Sequence, residues 1–199
     1  VSHAFLSALE KAKCVGQGTG WTPRHLVVES EDGRIEAAAP CYAKTHSQGE
    51  YVFDHAWADA YLQAGGRYYP KLQIAVPFTP VPGPRLLVRT GAHAAANEQV
   101  LAAAAIELAS QAGLSSVHLT FIDGALQDGL GALGFLKRSG QQFHWTNQGY
   151  ATFDDFLATF ASRKRKTVRK EREQAVSAGI EIEHIQGRDI TEAHWDAFF

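Results

Sequence analysis

Four of the seven prolines in this 199-residue chain lie between Pro77 and Pro84, within the run KLQIAVPFTPVPGPRLLV. Proline has no N–H to give a sheet ladder, so a central strand cannot pass through them. The run predicts a strand ending at Val76, a rigid excursion, and a second strand over 86–89. Bulged or splayed strands of this kind open a sheet where a ligand can enter. Any fold for this chain has to accommodate that interruption.

The other elements fall around it. HLVVES (25–30) and RIEAAAPCYAKT (34–45) read as two strands, joined by a tight antiparallel turn at Glu31-Asp32-Gly33. In FDHAWADAYLQAGG, Phe53, Trp57, Ala60 and Tyr61 share one helical face, and Gly65-Gly66 stops the helix. AAANEQVLAAAAIELASQAG (94–113) is nearly all strong helix formers, closed by Gly113. SSVHLTFI predicts a short buried strand. ALQDGLGALGFLKRSGQQFHW predicts a short helix and then a strand pair around Ser139-Gly140. A long helix over 153–178 and a strand at IEIEHI follow. The order predicts a mixed α/β layer structure without internal repeats.

An apolar content of 45 % with eleven Phe is ample for a core. The net charge of −2 conceals an asymmetry, because seven basic and two acidic residues crowd into 163–173. A general nucleic-acid coat would be basic over most of its surface, so DNA is not an expected partner. Cys14 and Cys41 form neither a metal spacing nor a disulfide framework, which predicts free thiols in a reducing cytoplasm. No apolar run nears the roughly 20 residues of a membrane span. The chain opens without Met and ITEAHWDAFF stops inside an amphipathic pattern, which predicts a fragment of a longer protein.

Two motifs carry little chemistry. GQGTG (16–20) neither follows a strand nor opens a helix, the context a phosphate loop requires. His46, Glu50 and His55 match no compact ligand spacing, and no metal is expected. VRTGAHA is more informative. It joins a strand to a long helix whose small first-turn residues leave N–H groups free at the positive helix end, which suits a pyrophosphate. After the next strand, LQDGLGALGF forms a short helix ending in Gly134-Phe135.

This order resembles the GNAT N-acyltransferase fold, whose Arg/Gln-x-x-Gly-x-Gly/Ala loop cradles the pyrophosphate of acyl-CoA. Arg89, Ala92 and Ala94 stand at the motif's positions, with Ala92 in place of the first Gly. A closer resemblance is carried by HSQGEYVFDHAWADAYLQAGGRYYPKLQIAVPFTPVPGPRLL and GFLKRSGQQFHWTNQGYATFDDFLATFASRKRKTVRKERE. Both are similar to predicted N-acyltransferases related to the Fem-type peptidoglycan aminoacyltransferases. The resemblance implies two GNAT-like domains per chain and aminoacyl transfer from tRNA to an amine. It implies that 1–150 is one such domain, with a central, mostly antiparallel, splayed sheet flanked by helices. Residues 151–199 would begin a second domain whose remainder is the missing C-terminal partner.

Amide formation needs a nucleophilic amine and a stabilised oxyanion. HSQGEYVFD supplies His46, Glu50 and Asp54 as candidate proton acceptors, with no choice made among them. Ser47, Tyr51, Trp57, Tyr69, Lys71, Phe78 and Thr79 are the candidate substrate contacts. The plainer alternative is that Tyr51, Phe53 and Trp57 are core while Glu50 and Asp54 cap a helix.

In a continuous helix, Phe153, Phe156, Leu157, Phe160, Val168 and Ala175 form one apolar stripe. Arg163, Lys166 and Lys170 flank it on one side, and Arg165, Arg169 and Arg172 on the other. Lys164 falls inside the stripe, where it either snorkels or points toward a phosphate. The flanks read as a solvated face. Arg89, Lys164, Arg165 and Arg169 are the candidate donor-phosphate contacts. The expected activity is N-acyl or aminoacyl transfer to a small-molecule or peptide amine, with acyl-CoA or aminoacyl-tRNA as donor co-substrate and no tightly bound cofactor. The alternative is a non-catalytic GNAT-like module that binds a peptide or a nucleotide-bearing ligand.

Overall fold

The computed structural model describes residues 2–199. The chain divides into two compact units, Val1–Gln141 and Gln142–Phe199. The first holds helix α1 (His3–Lys11), strands β1 (Trp21–Pro23), β2 (Leu26–Glu29), β3 (Ile35–Ala39) and β4 (Cys41–Lys44), helix α2 (His55–Gln63), strands β5 (Lys71–Ile74) and β6 (Leu87–Val88), helix α3 (Ala94–Gln111), strand β7 (Val117–Leu119) and helix α4 (Gly124–Ala132).

These strands build two sheets. One is mixed, in the order β1-β4-β5-β7, with β5 and β7 parallel and the other pairs antiparallel. The other is antiparallel, in the order β2-β3-β6. The single splayed sheet expected from the sequence is thus replaced by two, with β5 and β6, on either side of the prolines, in different sheets. Pro40 divides the chain a second time. The strand predicted over 34–45 is two strands, because Pro40 cannot donate to a ladder and the chain changes sheets there.

Helix α3 covers the apolar side. Leu101, Ala102, Ala105 and Ala109 pack with Ala37, Ala39, Cys41, Leu72, Ile74, Leu86 and Leu130. Small alanine side chains bring the helix backbone close to both sheets. Strand side chains alternate between faces, so this packing fixes the opposite face of β4 and β5. Tyr42 pairs with Gln73 and Lys44 with Lys71, and all four are buried on that opposite side. Burying two lysines in one short strand pair is what creates the site described below.

Other expectations change. No strand pair forms around Ser139-Gly140, since Leu136 and Phe143 find nothing to pack on. Trp57 and Tyr61 of α2, and Phe53 just before it, are turned to solvent rather than to the core, with Trp57 63 % exposed.

In the second unit, the helix predicted over 153–178 is two helices, α5 (Phe153–Ala158) and α6 (Ser162–Val176). A capping box between Thr152 and Asp155 starts α5, and the Thr159 hydroxyl donates to the Phe156 carbonyl at its end. Phe156 gathers Trp145, Tyr150, Phe153 and Phe160 at ring distances of 4.9–6.0 Å. IEIEHI is not a strand: Ile180 and Ile182 lie exposed, with no neighbouring strand to take their backbone hydrogen bonds. A 3-10 turn (Gly187–Asp189) and α7 (Glu192–Phe198) complete the unit.

Candidate functional site: a buried lysine and carboxylate cluster

Strand β5 begins at Lys71, whose ammonium is fully buried. Its three N–H groups have three acceptors: Glu50 Oε2 at 2.8 Å, Asp54 Oδ2 at 2.8 Å and Ser47 Oγ at 2.9 Å. A buried ammonium is tolerable when paired and hydrogen-bonded in this way. The partners come from the loop that leaves β4 and runs to α2. Asp54 occupies the N-cap position of α2 but makes no capping hydrogen bond. Its carboxylate turns inward instead, where Tyr68 also donates to Oδ2 at 2.7 Å. Ser47 and Tyr69 share a hydroxyl hydrogen bond of 2.7 Å.

The second lysine, Lys44, comes from the end of β4. Its Nζ lies 3.6 Å from the Trp21 ring centroid, donates to the Gln48 carbonyl at 3.2 Å, and stands 3.9 Å from Glu50 Oε1. Trp21 Nε1 donates to the same carbonyl at 3.1 Å, which fixes the ring as the floor under the ammonium.

Burial and neighbouring groups shift several of these side chains. Burial pulls Lys44 down to about 7, against the attraction of Glu50. Burial likewise raises the Glu50 carboxyl, with Lys71 and Lys44 working in the opposite sense. Burial also acts to raise Asp54, but hydrogen bonds from Lys71, Ser47 and Tyr68 outweigh it and hold that carboxyl well below the usual range. Burial and the Asp54 carboxylate push the Tyr68 phenol up. One oxygen of each carboxylate, Glu50 Oε1 and Asp54 Oδ1, is buried without a hydrogen-bond partner. The cluster therefore sets a lysine whose pKa burial lowers to about 7 beside two carboxylate oxygens that accept no hydrogen bond.

The covering loops are strained. Tyr51, Phe53 and Phe78 have φ of 57°, 52° and 57°, a region that aromatic residues rarely adopt. Phe78 N–H donates to the Gly49 carbonyl at 3.1 Å, and the Phe78 ring lies over Gly49 and tilts toward Trp21. Backbone strain of this kind is held in place by surrounding structure and collects at functional sites.

The structure thus brings Ser47, Glu50, Asp54, Tyr69 and Lys71 together and leaves other candidates aside. His46 is held against Gly20, its Nε2 3.2 Å from the Thr19 carbonyl and its Nδ1 accepting from Gln48 N–H, so both ring nitrogens are occupied. The Thr79 hydroxyl donates to the Pro77 carbonyl within its own turn. Trp57 is exposed, with the Arg138 guanidinium 5.1 Å over its ring. Arg89 is paired with Glu36 and donates to the Ile35 carbonyl.

The break between α5 and α6 removes the stripe on which Lys164 was placed, and Lys164 is exposed. Arg165 donates to the Ala158 carbonyl at 3.4 Å, and Arg169 pairs with Asp154 at 2.9 Å. Sequence reasoning missed Lys44 and Tyr68. Lys44 was readable from alternation, since Cys41 and Ala43 share one face of the strand and Tyr42 and Lys44 the other.

The first unit is thus a mixed α/β domain with a buried titratable cluster under strained loops, and comparison places the chain more closely. The chain matches the FemAB-like family, described as peptidoglycan biosynthesis/recognition, over residues 1–199, and it belongs to that family. No curated protein and no solved structure matches it. No helix among the described residues is long and apolar enough to cross a membrane.

Proposed function

We propose that the chain is part of an N-acyltransferase that moves an aminoacyl or acyl group from an activated donor to an amine of a peptidoglycan precursor. The observation that carries this reading is Lys44, fully buried over the Trp21 ring with its Nζ 3.9 Å from Glu50 Oε1, where burial lowers its pKa to about 7. A group with a pKa near the working pH is best suited to proton transfer. Glu50 Oε1 and Asp54 Oδ1, which accept no hydrogen bond, suit the N–H groups of an incoming amine. Nitrogen attacks the carbonyl carbon as the ester C–O or thioester C–S bond breaks. Lys44 takes the proton shed by nitrogen and returns it to the departing oxygen or sulfur. Lys71 orients both carboxylates through its hydrogen bonds and acts to lower the pKa of each. Ligand reaches the cluster where the Phe78 ring lies over Gly49.

In this reading the first unit is a GNAT-like domain, the second begins another, and both work in the cytoplasm. Aminoacyl-tRNA and acyl-CoA are the two donor classes, and exposed basic residues of α6, Lys164 among them, meet tRNA phosphate. The order of elements, with α3 following the 89–94 loop, supports the GNAT likeness.

The test is turnover by the full-length protein with each donor, across pH, for wild type and Lys44→Met. Catalysis through neutral Lys44 gives a rate that rises with pH through about 7 and then levels, a rise the variant lacks. Saturable binding with no product in any wild-type assay favours the second reading, a non-catalytic recognition module. Ala92 at the glycine position of the phosphate loop and the family's own mention of recognition favour that second reading.

A further inference from the structure

Among the described residues Arg85 is the one buried guanidinium of the first unit, 2 % exposed, at the end of the proline loop. It curls back under its own segment. Nη2 donates to the Val81 carbonyl at 2.6 Å, and Nη1 lies 3.0 Å from the Gly83 carbonyl and 3.4 Å from that of Pro84. Its Nε is buried and has no partner. Among the described residues no carboxylate lies within 4.0 Å of it.

Arginine cannot escape burial by losing its proton, because its pKa is too high. Burial pulls Arg85 below its ordinary value, and no acidic group offsets the effect. Lys71, by contrast, meets two carboxylates. Three carbonyl dipoles satisfy hydrogen bonds but supply no net negative charge. A buried ion without a counterion is costly, and an anion would offset that cost.

The loop that covers Arg85 is anchored near both ends. It is tied by the Phe78 N–H to Gly49 and by the Gly83 N–H to the Phe121 carbonyl, at 3.1 and 3.0 Å. Phe121 follows the carboxyl end of β7, which runs parallel to β5. The carboxyl ends of parallel strands are where open α/β sheets take their ligands.

We propose that Arg85 anchors an oxyanion site under the proline loop, separate from the lysine and carboxylate cluster. Its planar fork takes a phosphate or carboxylate oxygen through Nε and one Nη, in exchange for loop carbonyls. The site stands whether or not the protein transfers acyl groups, because its readout is binding alone.

The experiment is thermal unfolding of the full chain against inorganic pyrophosphate and, separately, acetate, with chloride holding ionic strength constant. One anion raises the wild-type Tm saturably, as binding to the folded state requires. A pyrophosphate response assigns the site to phosphate and an acetate response to carboxylate. Arg85→Met then weakens the responding anion by about tenfold or more, since it removes a charged hydrogen-bond donor. Arg85→Lys serves if the Met variant does not fold, because it keeps the charge and loses the fork. In the wild type, the Nε–H resonance absent from Arg85→Lys shifts during the same titration. No saturable response to either anion, an equal response in wild type and variant, or an unmoved Nε–H resonance overturns the proposal.

Discussion

Lys44 and Lys71 stand directly opposite each other on β4 and β5, both without solvent contact, and Glu50 reaches toward both, one carboxylate oxygen to each. Two like charges in register on neighbouring strands repel. They persist here because Glu50 and Asp54 are folded in between the loops above. The cluster is one interdependent unit, and its members respond differently to perturbation.

Lys44 sets a pH signature for stability. Its folded pKa, about 7, lies below the unfolded value, so the unfolded chain binds more protons between about 7 and 10. Its contribution is complete above the unfolded value and is lost as pH falls toward 7. Urea unfolding should show stability rising with pH across that window, and Lys44→Met should flatten the rise. An equal slope in both proteins would remove Lys44 as its source.

Lys71→Met leaves two carboxylates buried without their ammonium. Breaking a buried pair in this way costs about 3–5 kcal/mol. The triple variant with Glu50→Gln and Asp54→Asn should recover part of that loss, measured by urea midpoint. Equal stability of the single and triple variants would show that Lys71 acts through packing alone.

Asp54 governs the acid side. Its folded pKa is depressed, so its contribution is present above the unfolded carboxylate value and is lost as pH falls through the folded one. Acid unfolding of Asp54→Asn should accordingly be shallower below about pH 4 than that of wild type.

Gly49 tests the loop contact. It has φ +78°, and an added Cβ would meet the Phe78 ring at 2.6 Å. Gly49→Ala should cost about 1–3 kcal/mol, from backbone strain and the displaced ring together. Circular dichroism melting reads the loss. A melt unchanged from wild type would mean that the Phe78 ring is free to leave.

The basic helix gives the opposite result. Lys164 is exposed, so Lys164→Ala should stay within about 0.5 kcal/mol of wild-type stability, whereas Leu157→Ala, at the one buried position of α5, should cost about 2–5. A large loss for Lys164→Ala in equilibrium unfolding would mean that its alkyl stem is packed.

Where local chemistry decides, the sequence was readable. Helix formers and Gly113 mark α3, whose C-terminal glycine has φ +63°. The Glu31-Asp32-Gly33 turn joins β2 to β3, and the prolines separate β5 from β6. The polar run after His46 drew attention to Ser47, Glu50 and Asp54, which the structure gathers on Lys71. Other features depend on partners far along the chain. Pro40 was visible in the sequence, but its effect, sending β4 to another sheet, follows from which strands pair. The α5–α6 break contains neither Gly nor Pro, so nothing local announced it. Ile180 and Ile182 alternate as a strand would, yet alternation cannot make a strand without a neighbour.

Residues 50–54 alternate inside and outside as a strand does, although they belong to no sheet. Glu50 and Asp54 are buried, while Tyr51 and Phe53 turn outward through positive φ. Spacing and these two positive φ values together decide which chemistry faces Lys71. One residue fewer would swing a carboxylate into water and thread an aromatic ring between two ammonium groups. The segment works as a counted stitch, in which length as well as composition decides what reaches the lysine.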